Sequence, residues 1–126
     1  SGGCTRGGTP AEMGGGIQAC GHVTLDRQGG EAERWKLDRA AWNGEPFVSF
    51  TPAKPAHFRI PDPRFVLGSN RVLTGFMLAE DGRRMIAASA IDNLMKGAAG
   101  SAVQCANLMF GLDETEGLAM MPVYPA

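Results

Sequence analysis

The chain is short of cysteine, of histidine and of net charge, and each shortage closes off a class of function. Three cysteines, Cys4, Cys20 and Cys105, leave at least one thiol unpaired and show no CxxC spacing, so disulfide stapling does not organise this fold. Cys20-Gly21-His22 is a single Cys-x-His step without the paired spacing of a structural zinc site. No metal is therefore expected, and Cys20 and Cys105 read as small interior hydrophobes, the usual fate of a free cysteine. A formal net charge of −1 gives no broad positive field for nucleic acid or an anionic membrane surface. No apolar run reaches the roughly 18 residues of a spanning helix, and the N-terminus lacks a basic stretch followed by an apolar one. A cytoplasmic protein with no nucleic-acid or membrane partner is the expectation.

What is present fits one globular domain of 126 residues, 44% hydrophobic and 20% charged. Its composition changes near residue 30. Ten of the 18 glycines lie in residues 1–30, where backbone entropy opposes regular structure, so this segment is expected to be irregular and the organised domain to span 31–126. SGGCTRGGTP has neither the GK[ST] ending of a phosphate loop nor the preceding strand of a dinucleotide fingerprint. EAERWKLDRAAW, Glu31 to Trp42, predicts a helix stopped by Asn43-Gly44. The prolines at 46, 52, 55, 61 and 63 then confine regular structure to a short strand over Phe47–Phe50, followed by an extended connection holding His57. A histidine between prolines, with no orienting partner in view, reads as a surface residue.

RVLTGFMLA and RRMIAASAI are two strand-like runs joined by Glu80-Asp81-Gly82, a hairpin signal. Beyond Lys96-Gly97, the residues Ala99, Ala102, Val103, Ala106, Met109 and Phe110 recur at helical spacing and predict one buried apolar face. Ser101, Gln104 and Asn107 form a separate polar stripe, and Gly111 supplies the stop. The fold class that follows is α+β, a small antiparallel sheet with a hairpin and a C-terminal helix. A strand turning directly into a helix with small first-turn residues would leave backbone N–H groups facing outward, open to a flat or anionic group. Close packing of helix on sheet explains the same small residues, and the residue pattern leaves both readings open.

The string DNLMKGAAGSAVQCANLMFGLDETEGL, Asp92 to Leu118, resembles the C-terminal signature of the N-acetyl-gamma-glutamyl-phosphate reductase family, which includes the related LysW-aminoadipyl/glutamyl phosphate reductases. Glu45-Pro46-Phe47-Val48 and Gly68-Ser69-Asn70 resemble the family's EPFV and GSN segments in the right order, so the likeness spans about two-thirds of the chain. It implies an NADPH-dependent reduction of an acyl phosphate to a semialdehyde in arginine or lysine biosynthesis. A cysteine would attack the acyl phosphate, hydride would reduce the resulting thioester, and a histidine would handle protons. By the same resemblance, Lys96, Gly97, Ala98, Ala99, Gly100 and Gln104 are carried over as NADP-binding, and Ser69 and Asn70 as substrate-side or domain-contact residues. The substrate would be a small acyl phosphate or one bound to a carrier protein, and assembly through the central sheet would give a homo-oligomer.

The sequence also departs from the family pattern. A dinucleotide-binding strand–loop–helix is missing, as is the family's histidine segment, which neither His22 nor His57 matches. Gly3-Cys4-Thr5 matches only part of the catalytic-cysteine turn, which makes Cys4 the candidate nucleophile on a thin match. The chain thus resembles the C-terminal half of such a reductase, part or a shortened form of it, with a partner chain supplying the nucleotide-binding domain. The reading from another class is a non-catalytic binding or scaffolding module that kept the hairpin and helix for packing.

Overall fold

The computed structural model describes residues 4–10, 15–51 and 60–123, so the expectation for His57 lies outside the described residues. Among the described residues, five strands form one mixed sheet: β1 (Cys4–Pro10), β2 (Gly16–Thr24), β3 (Val48–Phe50), β4 (Val72–Leu78) and β5 (Arg84–Asp92), in spatial order β1-β2-β5-β4-β3. Two α-helices, α1 (Glu31–Trp42) and α2 (Gly100–Met109), complete it, with a 3-10 turn at Pro63–Val66 and a π-helical turn at Met95–Ala99.

The hairpin of β4 and β5 forms where the Asp-Gly signal puts it. Gly82 takes φ +63°, a conformation open to glycine without strain. Asp81 locks the turn, its carboxylate accepting from the backbone N–H of Arg83 and Arg84 and from Arg84 Nε at 2.6 Å. Those bonds hold its pKa down at about 2.

Two expectations are corrected here. The glycine-rich segment is not irregular over its described part: β2 pairs along its whole length with β5, and β1 pairs with β2. Glycine weakens a strand without forbidding it, and a neighbour offering nine consecutive backbone partners outweighs the local propensity. The sheet is also not purely antiparallel, because β3 runs parallel to β4, as the long connection over 51–71 permits.

Register divides the sheet into two faces. Val72, Thr74 and Phe76 share one face with Ile91, Ser89 and Ala87. There α1 inserts Trp35, 8% exposed, edge-on to Phe50 at 6.3 Å and tilted on Phe76 at 4.6 Å between ring centroids. Truncating Trp35 to alanine costs about 3–5 kcal/mol on the usual scale for a buried aromatic. On the opposite face, Ala88 and Ala90 lie beneath the Pro63–Val66 turn, with Val66 2% exposed. Gln18 Nε2 donates to the Pro61 carbonyl and ties β2 to the same cover.

α2 corrects a third expectation. Its apolar residues are not buried: Val103 is 43%, Met109 82% and Phe110 78% exposed. The turned-in face is the polar one, with Gly100 and Asn107 buried and Gln104 half-buried. Cys105 is exposed and Cys20 half-buried, so neither is the interior hydrophobe expected of it.

Candidate functional site

The site is built where β5 ends. Asp92 closes the strand, 6% exposed, and its two carboxylate oxygens divide the work. Oδ1 accepts from the N–H groups of Leu94 and Met95 at 2.8 and 3.2 Å, and Oδ2 from Gly68 N–H at 2.7 Å. One carboxylate thus starts the helical turn and fastens the Gly68-Ser69-Asn70 loop against it. Ser69 and Asn70 are both fully buried, and the Ser69 hydroxyl donates to the Val66 carbonyl at 2.7 Å.

The strand therefore does not run straight into α2. A π-helical turn intervenes, in which Ala99 N–H donates to the Leu94 carbonyl and Gly100 N–H to that of Met95. These two amides are satisfied inside the chain, which favours close packing over an open helix N-terminus, the two readings the residue pattern left open. The glycines also turn inward. A Cβ on Gly97 would run into Asn93 Oδ1, and one on Gly100 into Asn70 Oδ1 and the Met95 carbonyl. Their smallness serves close packing; Gly97, Ala98 and Ala99 are the exposed residues of the loop, and Gly100 is buried.

The wide π turn, a form frequent at functional positions, brings Lys96 back over α2. Lys96 Nζ donates to Gln104 Oε1 at 2.6 Å and stands 5.0 Å from the centroid of the Phe47 ring. The same Gln104 oxygen accepts from Asn70 Nδ2 at 3.1 Å. Burial lowers the Lys96 pKa from the ordinary lysine value, against the raising effect of the nearby Glu114, Cys105 and Glu45 charges. Beside this cluster runs an open groove of about 450 Å³ whose walls include Glu45, Pro46, Leu108 and Glu114. Its far wall is the return loop after α2, held by Asn107 Nδ2, which donates to the carbonyls of Glu114 at 3.3 Å and Glu116 at 2.9 Å.

The structure thus joins Lys96, Gln104 and Asn70 in one hydrogen-bonded cluster. It does not bring Cys4 to them. Cys4 is registered on Val23, and Val23 on Met85, at the hairpin end of the sheet. Lys96 follows Asp92 at the other end of β5, and seven residue steps of strand lead from Met85 to Asp92, about 23 Å. Among the described residues, no group of three or more His, Cys, Asp or Glu side chains is placed to hold a metal, and no helix is long and apolar enough to cross a membrane. Sequence reasoning placed none of Asp92, Phe47, Asn93 and Asn107 among the site residues. Asp-Asn ahead of a small-residue helix was a readable capping signal for Asp92; the others act across the fold and left no local trace.

Compared with known proteins, residues 9–93 match the family described as semialdehyde dehydrogenase, dimerisation domain. Relatives named LysW-L-2-aminoadipate/LysW-L-glutamate phosphate reductase occur in Cenarchaeum symbiosum, 48% identical over 110 residues, and in Nitrosopumilus maritimus, 46% identical over 110 residues. Both alignments cover 87% of this chain and 32% of the relative. A relative of the same name from Pyrococcus horikoshii is 51% identical over 84 residues, 67% of this chain and 26% of its own length. The chain spans about a third of the length of the curated relatives it matches.

Proposed function

Because the chain belongs to the semialdehyde dehydrogenase family, through its dimerisation domain, we propose that it is the substrate-side portion of an acyl-phosphate reductase of amino-acid biosynthesis. The substrate class is a γ-glutamyl-type or aminoadipyl phosphate, reduced to the semialdehyde. The names of the relatives favour a carrier-bound acyl group, as in lysine biosynthesis, over free N-acetyl-gamma-glutamyl phosphate and the arginine pathway. A cytoplasmic location follows from that metabolic role.

The observation carrying this reading is the Lys96–Gln104–Asn70 cluster, which joins the stretch that resembles the reductase signature to the Gly68-Ser69-Asn70 segment. The residues fit a dinucleotide on one side only. Lys96 Nζ and the Gln104 amide would hold its polar part, and the exposed Ala98 and Ala99 leave a flat approach, whereas Gly97 and Gly100 are backed by asparagines. NADPH, when bound, supplies the hydride. Lys96 keeps a cation at a half-buried position, where it attracts an anionic or carbonyl group more strongly than in open water.

The nucleotide fold, the reacting cysteine and the proton-handling histidine come, in this reading, from the rest of a relative-sized chain or from a partner chain, since Cys4 lies at the far end of the sheet. Exposed Val103, Leu108, Met109 and Phe110 on α2 are the surface against which that portion docks. Half-open Ile17 and Val23, with the small Ala19 and Gly21 between them on one sheet face, suit a second copy of the domain. A scaffolding module is the second reading, favoured by one observation: packing against Asn93 and Asn70 accounts for both glycines without a ligand.

Titration with NADPH, followed by quenching of the half-exposed Trp42 and by cofactor fluorescence, tests the choice. Saturation on the order of micromolar, weakened tenfold or more by Ala98→Asp and Lys96→Met, supports the reductase reading. No saturation, in the chain alone or with a nucleotide-binding partner added, overturns it in favour of the scaffold.

A further inference from the structure

We infer that Asn70 is a positioning residue, which fixes the orientation of the Gln104 side-chain amide and through it the place of the Lys96 ammonium. Gln104 can present either its oxygen or its NH₂ group to Lys96, and only the oxygen accepts from an ammonium. Asn70 decides between them. Its Nδ2 donates to Gln104 Oε1 at 3.1 Å, so that oxygen points to the place where Lys96 Nζ meets it at 2.6 Å. Asn70 is itself enclosed: it is fully buried, it follows Ser69, whose hydroxyl is bonded to Val66, and its Oδ1, buried without a hydrogen-bond partner, lies in the space a Cβ would need on Gly100, one helical turn before Gln104. Any side chain at residue 100 would meet that oxygen, so Gly100 and Asn70 form a matched pair.

Lys96 has three N–H bonds. One goes to Gln104, and the ammonium lies by the Phe47 ring, which leaves a donor for a carbonyl or anionic ligand group. The charges facing it are Glu45 before β3, Glu114 on the return loop and Cys105 on α2, and none of them forms an ion pair with Lys96 among the described residues. Without the bond to Gln104 the long side chain gains more freedom than these distant charges restrain, and it moves to water.

The role in ligand capture rests on the function proposed above, while the positioning itself does not, and NMR on this chain separates the two. In the unaltered chain, one Asn70 Nδ2 proton exchanges slowly and the Lys96 ε-methylene protons are shifted upfield by the Phe47 ring. In Asn70→Leu and in Gln104→Leu, the Lys96 signals move to the values of a free lysine and its pKa rises as hydration returns. The double variant moves them no further. Unchanged Lys96 signals in a folded Asn70→Leu chain, or additive shifts in the double variant, overturn the inference. Should Asn70→Leu not fold, fast exchange of both Asn70 Nδ2 protons in the unaltered chain overturns it as well. Displaced Lys96 with NADPH affinity undiminished supports the positioning role and refutes the assignment of Lys96 to the cofactor.

Discussion

The two faces of α2 obey opposite rules. The face turned toward the Asn70 loop, the π turn and the return loop carries Gly100, Gln104 and Asn107, while the face toward water carries Val103, Met109 and Phe110. Binary patterning buries the second set and exposes the first. The inversion is stable because its inward amides are paired: Gln104 Oε1 takes two donors, and Asn107 Nδ2 gives to two carbonyls of the return loop. Buried polar groups cost little when paired and much when not. A helix can therefore use its polar side to organise a site and keep its apolar side for another body. Exposed Leu108 adds to that apolar side in the last turn, and exposed Leu112 follows beyond it.

The largest test of this contrast is on the inner face. Gly100→Val places carbon against Asn70 Oδ1 and against a carbonyl oxygen at 2.8 Å, and costs about 3 kcal/mol in urea unfolding, the upper end for overpacking a tight site. Asn107→Leu comes next. It strips the donor from the Glu114 and Glu116 carbonyls, destabilises the chain by about 2 kcal/mol and raises hydrogen exchange over 113–118. An effect below ~0.5 kcal/mol would put the inner face on a par with ordinary surface and dissolve the contrast.

A smaller effect sharpens it electrostatically. Burial lowers the Lys96 pKa in the folded chain, so between that value and the ordinary lysine value near ~10.4 the unfolded chain holds more protons than the native one. Stability from this group therefore rises with pH across that window and is flat below it. Comparing urea midpoints from neutral pH to pH ~10 should show a rise in the unaltered chain that Lys96→Met lacks. Equal pH profiles would mean that Lys96 is solvated as in the unfolded chain.

What could be read in the sequence was whatever depends on neighbours along the chain. The helix at Glu31–Trp42, the hairpin at Asp81-Gly82 and the short strand before the proline run all follow from local periodicity and turn chemistry. The strands at Cys4–Pro10 and Gly16–Thr24 were hidden because Gly16–Thr24 is held by β5, some seventy residues away, and Cys4–Pro10 by Gly16–Thr24 in turn, and not by their own glycine-rich composition. Likewise Lys96 and Gln104 were picked out by a motif, but their partner Asn70 and the Phe47 ring reach them only through the fold. The orientation of α2 was misread because periodicity finds an apolar face without saying what covers it.

The most direct measurement is the unfolding free energy of a Val103→Ser, Phe110→Ser double variant, taken at a dilution where the chain is monomeric. If the apolar face of α2 is bare in the single chain, the change stays within about 0.5 kcal/mol of zero. A loss of about 3 kcal/mol or more, as truncating two buried apolar side chains would give, would show that α2 packs by its apolar side and contradict this account.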